Sequence, residues 1–249
     1  MHIQLIRNAT LRMTYGDRVF ITDPYLAPKH SQNPLAGKSR NPTADLPFPA
    51  KDVLADIEMV IVSHLHPDHF DSLAQGQLPK NIQIYCQPGD EQQIKEVGFS
   101  NVAVVDGNVN WHGVRITRVL GQHGNELWAA QIGPVSGFIF QAENERTIYW
   151  TGDTIWCDAV RQVILETKPD IIITHSSGAS FEPGESIIMD AQQTIEVCQA
   201  APQSIVIAIH METFDFDTVS RRDLRALADA EGIDAQQLLI PADGETLVF

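Results

Sequence analysis

Three of the chain's nine histidines fall within six residues, in His64-Leu65-His66-Pro67-Asp68-His69. Imidazole nitrogens interleaved with a carboxylate are a donor set suited to zinc, manganese or iron. The apolar run Met59-Val60-Ile61-Val62 directly precedes them, so a strand delivers the cluster at its C-terminal end, where sites of layered α/β sheets gather. On an extended backbone His64 and His66 point the same way. Pro67 then stops the strand, and Asp68 and His69 turn back toward the same point while a helix begins near Asp71. His123, Asp153 and His210 repeat the placement, following Arg115 to Leu120, Thr147 to Trp150 and Ile205 to Ile209. Each alone reads as a turn residue; with the cluster, they supply the donors it still needs. His175, in Thr174-His175-Ser176-Ser177, also follows an apolar run and is open as proton donor, substrate contact, substitute for His210 or structural residue. Ser176 and Ser177 lack a G-x-S-x-G turn, and adjacency to a histidine does not make a triad.

The elements that must position these residues are short apolar runs bounded by Gly, Pro, Asn or Asp. Strands are expected at Ile3 to Ile6, Arg18 to Thr22, Met59 to Ser63, Ile82 to Cys86, Val102 to Val105 and Val114 to Leu120. Gly16-Asp17 and Asn144-Glu145 are hairpin candidates, the second joining Gly137 to Ala142 with Arg146 to Trp150. The second half alternates strand and helix: a strand at Asp170 to Thr174, a helix from about Asp190 to Ala200, a strand at Ser204 to Ile209, and a helix capped by Ser220 and stopped by Gly232. Leu238 to Ile240 and Thr246 to Phe249 read as closing strands.

Pro24 to Ala50 holds six of the 14 prolines and cannot form a helix or a central strand, so it is a functional lid or a disordered insertion. Length and 43% hydrophobic content suit a single domain, residues 1–249, with this loop insertion at 24–50. The formal charge of −15 opposes nucleic acid and anionic membranes as partners and leaves a small molecule. Cys86, Cys157 and Cys198 form no C-x-x-C pair, which indicates neither a disulfide framework nor a thiolate site. The N-terminal stretch reads as a strand and no apolar run approaches the roughly 18 residues of a membrane span, so the expected location is cytoplasmic. His2, His30 and His112 read as surface or locally bonded side chains.

Taken together, His64 to His69, Gly121-Gln122-His123-Gly124, Thr151-Gly152-Asp153-Thr154 and Ile209-His210 resemble the successive metal motifs of the metallo-β-lactamase superfamily, over essentially the whole chain. The spacing is most similar to the stand-alone bacterial branch that includes the ascorbate-6-phosphate lactonase. The resemblance implies an α/β (α+β) fold, a four-layer αββα sandwich. It implies His64, His66 and His123 on one metal, Asp68, His69 and His210 on the other, and Asp153 bridging. Asp23 resembles the family's early strand-end Asp, which implies that it steadies the metal histidines from behind. β-Lactamases proper would place a cysteine ligand where Asp153 stands, and Cys157 reads as buried and inert. Oxygen-reducing di-iron relatives would carry Glu in place of His66; a single-iron persulfide dioxygenase is left open.

Two ions held about 3.5–4 Å apart lower the pKa of a bridging water to about 7 and give hydroxide without a nucleophilic side chain. The expected function is therefore a binuclear hydrolase, with zinc first and manganese or iron as alternatives, cleaving a small ester, lactone or phosphodiester with an anionic head group. Asp68 is expected to orient the nucleophile or take its proton, with His175 as the second catalytic candidate. Lys38 and Arg40 are candidates to hold the anionic head, and Trp156 to line the pocket, whereas Trp128 reads as core. The alternatives are a non-catalytic metal-containing sensor of the same fold and a nuclease of the same superfamily. The full donor set argues against the first and the −15 charge against the second.

Overall fold

Strands whose two faces are both covered carry apolar residues at every position, and the runs at 59–62, 171–173 and 205–209 meet that description. In a computed structural model, which describes residues 1–182 and 184–249, they lie in two seven-stranded sheets. The first half of the chain supplies β1 (His2–Arg7), β2 (Thr10–Tyr15), β3 (Arg18–Thr22), β4 (Met59–Val62), β5 (Gln83–Cys86), β6 (Val102–Val104), β7 (Asn108–Trp111) and β8 (Val114–Leu120). The second half supplies β9 (Ser136–Gln141), β10 (Ile148–Trp150), β11 (Ile171–His175), β12 (Ser180–Glu182), β13 (Glu185–Ser186), β14 (Ile205–Ile209), β15 (Leu238–Leu239) and β16 (Thr246–Val248). One sheet runs β16-β1-β2-β3-β4-β5-β6 and the other β15-β14-β11-β10-β9-β8-β7. Each combines an antiparallel half with a parallel half, β3 to β6 in the first and β10, β11, β14 and β15 in the second.

The period-2 alternation of side chains sorts these strands into layers. Met59 and Ile61 join Ile171, Ile173, Ile207 and Ile209 in the core between the sheets. Val60 and Val62 face outward onto Ala74 and Ile94, whereas Ile172 and Val206 face outward onto Ile164, Ile195 and Leu224. On the first sheet Ala74 belongs to α2 (Ser72–Gln77) and Ile94 to α3 (Glu91–Glu96), with Val53 of α1 (Ala50–Val53) in the same cluster; the partners on the second belong to α5 (Asp158–Thr167), α6 (Ala191–Ala200) and α7 (Arg221–Ala230), and α4 (Glu126–Ile132) lies over the site. The result is the expected four-layer αββα sandwich. Among the described residues, no helix is long and apolar enough to cross a membrane.

Local signals agree where they are chemical. Gly16 and Asp17 both have positive φ, 57° and 58°, as the tight hairpin turn joining β2 to β3 requires. Asp71, Asp190 and Ser220 each cap a helix by accepting an amide three residues on. β2, β7, α3, α4 and α5 carry weaker local signals; α5 begins at Asp158, and the preceding Cys157 makes no side-chain cap bond.

The 24–50 stretch is irregular, with one isolated bridge between Gln32 and Asn41, and it is bound to the domain by a buried cation. Arg7 is fully buried and donates to the carbonyls of Tyr25 (3.2 Å), Ala27 (2.8 Å) and Ala44 (3.0 Å), with its guanidinium 5.0 Å from the Tyr25 ring centroid. Arg7→Met orphans three carbonyls at once, and chemical denaturation should show a loss of about 3 kcal/mol or more. A loss under about 1 kcal/mol would show that the segment's roots are held by something else.

Candidate metal centre

The four strand ends named above meet on one side of the sandwich. His64, His66, Asp68 and His69 follow β4, Asp153 follows β10, and His210 follows β14 with φ +61°; His123 comes three residues after β8. One donor atom from each of His64, His66, His123 and Asp153 lies within 4.8 Å of the others, and the same holds for Asp68, His69 and His210. Asp153 stands between the sets: its Oδ2 is 3.5 Å from His123 Nε2, 3.7 Å from His64 Nε2 and 3.2 Å from His69 Nε2, and its Oδ1 is 3.8 Å from His210 Nε2. All seven are thus brought together, in the grouping the resemblance implied.

Whether an ion fits can be judged from the tautomers that the hydrogen bonds assign. His66 Nε2 donates to Ile132 O (2.9 Å), His123 Nδ1 to Ile187 O (2.7 Å) and His69 Nδ1 to Asp23 Oδ2 (2.7 Å). His66 and His123 thereby keep the inward nitrogen as a bare lone pair, the arrangement second partners impose on metal-binding histidines, while His69 turns its Nε2 toward Asp153 Oδ2 at 3.2 Å. Ser63 donates to Asp23 Oδ2 (2.6 Å) and so accepts from His64 Nδ1 (2.9 Å), which bares His64 Nε2 as well. That atom lies 2.8 Å from His66 Nδ1, and two facing lone pairs at this distance call for a cation. Both ring nitrogens of His210 are buried without a hydrogen-bond partner. The donor set therefore fits divalent ions.

Charge points the same way. Burial pulls His64 well below its ordinary pKa and His123 down to about 4. Burial pulls likewise on His69 and His210, but Asp153 foremost, with Asp68, outweighs it and holds both above the usual value. Asp68 and Asp153 are held below the carboxylate range against their burial, foremost by His69. Asp23, Asp68 and Asp153, packed in one buried cluster, demand positive charge.

Asp23 accepts Ser63 N (2.7 Å), Ser63 Oγ and His69 Nδ1, and so aims His69. Replacing it by Asn turns one oxygen into a donor facing other donors. We expect Asp23→Asn to weaken metal binding roughly 10–100-fold in chelator competition; unchanged affinity would separate Asp23 from the centre.

The centre floors a cavity of about 230 Å³. His66, Asp68, His123, Asp153 and His210 form its polar end, and Leu35, Pro67, Ile132, Ala179, Phe181, Ile187, Ile188 and Phe216 its walls. Among the described residues no Lys or Arg lines it. The 24–50 stretch does reach the site, but through Leu35. Arg40 spends its guanidinium on the carbonyls of His30 (2.8 Å) and Ser31 (2.9 Å), and Lys38 is exposed and outside the lining. The structure thus does not bring these two residues to the cavity lining. Trp156 is absent from the lining too; its ring lies beneath the Arg161 guanidinium at 4.9 Å and packs toward α5 and α6.

His175 is fully buried behind Asp153: its Nδ1 meets Asp153 Oδ1 at 2.5 Å and its Nε2 accepts from Trp150 Nε1 at 2.8 Å. Both of its nitrogens are thus engaged, and it stands behind Asp153, outside the cavity lining. Ser176 and Ser177 are buried away from the cavity, and Cys157 is half-buried, not buried as expected. Trp128 is partly buried behind the cavity wall, packed with Ile187 and Ile188.

Asn8 went unread in the sequence. It is fully buried, has φ +57°, donates through Nδ2 to Asp68 O (3.1 Å) and accepts His210 N (3.0 Å) on its own carbonyl. A buried Asn in the β1–β2 turn thus ties donors from both sheets; its sequence signal was only a turn residue with left-handed tolerance.

Residues 18–211 match the model of the β-lactamase superfamily domain. The UPF0173 protein YddR of Bacillus subtilis (strain 168) is 34% identical over 100% of both chains. Among solved structures, an isothiocyanate hydrolase from Delia radicum gut bacteria superposes with a TM-score of 0.95 at 34% identity, covering 100% of this chain and 99% of its own. A possible metal-dependent hydrolase from Veillonella parvula DSM 2008 gives 0.95 at 31% identity with the same coverage.

Proposed function

The chain belongs to the β-lactamase superfamily, as a metal-dependent hydrolase of the metallo-β-lactamase fold, and on that premise we propose that its substrate is a small, uncharged, apolar electrophile such as an isothiocyanate. The observation that carries this reading is the cavity: apolar walls end on a polar floor, with no cation in the lining among the described residues. An anionic lactone or phosphodiester would find nothing there to neutralise it above the floor, whereas a neutral heteroallene or a small neutral ester fits. The similarity to the isothiocyanate hydrolase supports the choice within that class.

His64, His66, His123 and Asp153 would hold one ion, and Asp68, His69 and His210, with Asp153 shared, the other; a nitrogen-rich set of this kind suits zinc, then manganese or iron. Ions held there would supply an acidified water and a Lewis acid for the electrophile. The apolar walls hold the organic group and exclude bulk water. Asp68, at the cavity floor with its Oδ2 3.3 Å from His210 Nε2, takes a proton from the attacking water and returns it to the departing nitrogen. For an isothiocyanate, water oxygen bonds to the central carbon, the carbon–nitrogen bond breaks, nitrogen gains two protons, and the products are an amine and carbonyl sulfide. Asn8 holds Asp68 in place, and His175 holds Asp153. The reading takes residues 1–249 as one cytoplasmic domain.

The test is metal analysis of the purified protein paired with turnover of benzyl isothiocyanate, following benzylamine release. We expect close to two ions per chain and metal-dependent amine formation. At most one ion under metal supply would remove the binuclear part, and no amine formation would remove the substrate class.

A further inference from the structure

Residues 24–50 are fixed firmly at their roots and held at their tip by one carboxylate. Arg7 binds the carbonyls of Tyr25, Ala27 and Ala44, the Tyr25 ring stacks on Phe214 at 5.7 Å, and Thr43 N donates to Thr213 O at 2.8 Å. The tip is different. Among the described residues, the hydrogen bonds that reach 33–39 from elsewhere are those of Lys38 N (2.5 Å) and Ser39 N (2.6 Å), both to Asp215 Oδ2. A side chain on Gly37 would collide with that same carboxylate, so the glycine leaves the space in which Asp215 sits. The neighbours on either side line the cavity: Leu35, 49% exposed, from the tip, and Phe216 from the loop after β14.

We propose that Asp215 is a specificity-determining latch, whose carboxylate clamps the 33–39 tip and sets Leu35 as the outer wall of the cavity opposite Phe216. This rests on reading the cavity as the substrate site. Two amides converging on one carboxylate oxygen are charge-assisted bonds, and an otherwise irregular tip depends on them. With the latch closed the mouth is narrow and apolar, and it favours small neutral substrates over bulkier ones. With the latch broken Leu35 is free to leave, and the substrate loses a wall without any change in the metal floor.

Two substitutions break the clamp from opposite sides: Asp215→Ala removes the acceptor, and Gly37→Ala displaces it while keeping the carboxylate. In the metal-loaded full chain, both should speed amide exchange across 33–40 by roughly tenfold or more. Both should raise KM for benzyl isothiocyanate by about tenfold, lower kcat far less, and shrink the preference for it over a naphthylmethyl isothiocyanate. Parent-like exchange in both variants overturns the proposal, and so does faster exchange with unchanged KM and selectivity. Should the parent protein hydrolyse no isothiocyanate, the proposed substrate falls, and the latch is then read from the Kd of benzyl alcohol. A rise of about tenfold in both variants sustains it, and an unchanged Kd overturns it.

Discussion

Asp153→Ala is expected to abolish hydrolysis, by at least roughly a thousandfold, and to strip metal from both halves of the centre. The carboxylate reaches both donor sets: Oδ2 lies 3.2 Å from His69, 3.5 Å from His123 and 3.7 Å from His64, while Oδ1 faces His210 and is bound by His175. Its loss removes a shared negative charge from a site whose cations it would neutralise, and it leaves the His175 N–H buried without its acceptor. His210→Ala provides the contrast, because its Nε2 lies 3.3 Å from Asp68 Oδ2 and 3.8 Å from Asp153 Oδ1 and it groups with Asp68 and His69, not with His64, His66 and His123. It should lose about one equivalent of metal and keep the other. Elemental analysis after dialysis against a weak chelator, with circular dichroism to show a retained fold, reads both. Full metal content and rate in the two folded variants would mean that these residues are not the ligands.

What could be read in the sequence was the part whose chemistry is local. His64 to His69 announce themselves because four donors crowd into six residues, and strand ends at Asp153 and His210 follow from apolar runs that terminate just before them. The caps at Asp190 and Ser220 are equally local, since each bond spans three residues. Arg7 and Asn8 were not legible, because what makes them important lies 18 to 37 residues away for Arg7 and 60 for Asn8, and a charged residue at a strand end looks solvated until its carbonyl partners are known. The cavity walls were hidden for a related reason. Leu35, Phe181 and Phe216 come from three separate irregular or edge segments, and an isolated apolar residue in such a segment carries no periodic signal. The placement of Lys38 and Arg40 outside the cavity lining was not legible either, because composition counts charges and does not say where a guanidinium spends its hydrogen bonds. The loop did reach the site, through its leucine.

The cavity lining yields the second large effect, a discrimination by substrate charge. Benzyl isothiocyanate should be hydrolysed with a kcat/KM at least about a hundredfold above that of its ring-carboxylated analogue, a gap of about 2.7 kcal/mol. Placed with its reactive carbon at the floor, the analogue must lay its carboxylate among Leu35, Ile132, Phe181, Ile188 and Phe216, where no cation waits among the described residues. An unpaired carboxylate taken out of water into such a wall costs several kcal/mol, and the formal charge of −15 adds a long-range repulsion that salt weakens. Most of the penalty is short-range, so raising ionic strength should recover only a small part of it. Phe216→Arg places a cation on the wall while leaving the donor set untouched, and it should narrow the gap by raising the rate of the anionic analogue and lowering that of the neutral one. Parallel assays of both substrates with the parent protein and the variant decide the matter. Equal or faster turnover of the anionic analogue by the parent would return the substrate to the anionic class and give Lys38 a part in holding it, with the metal assignment unaffected.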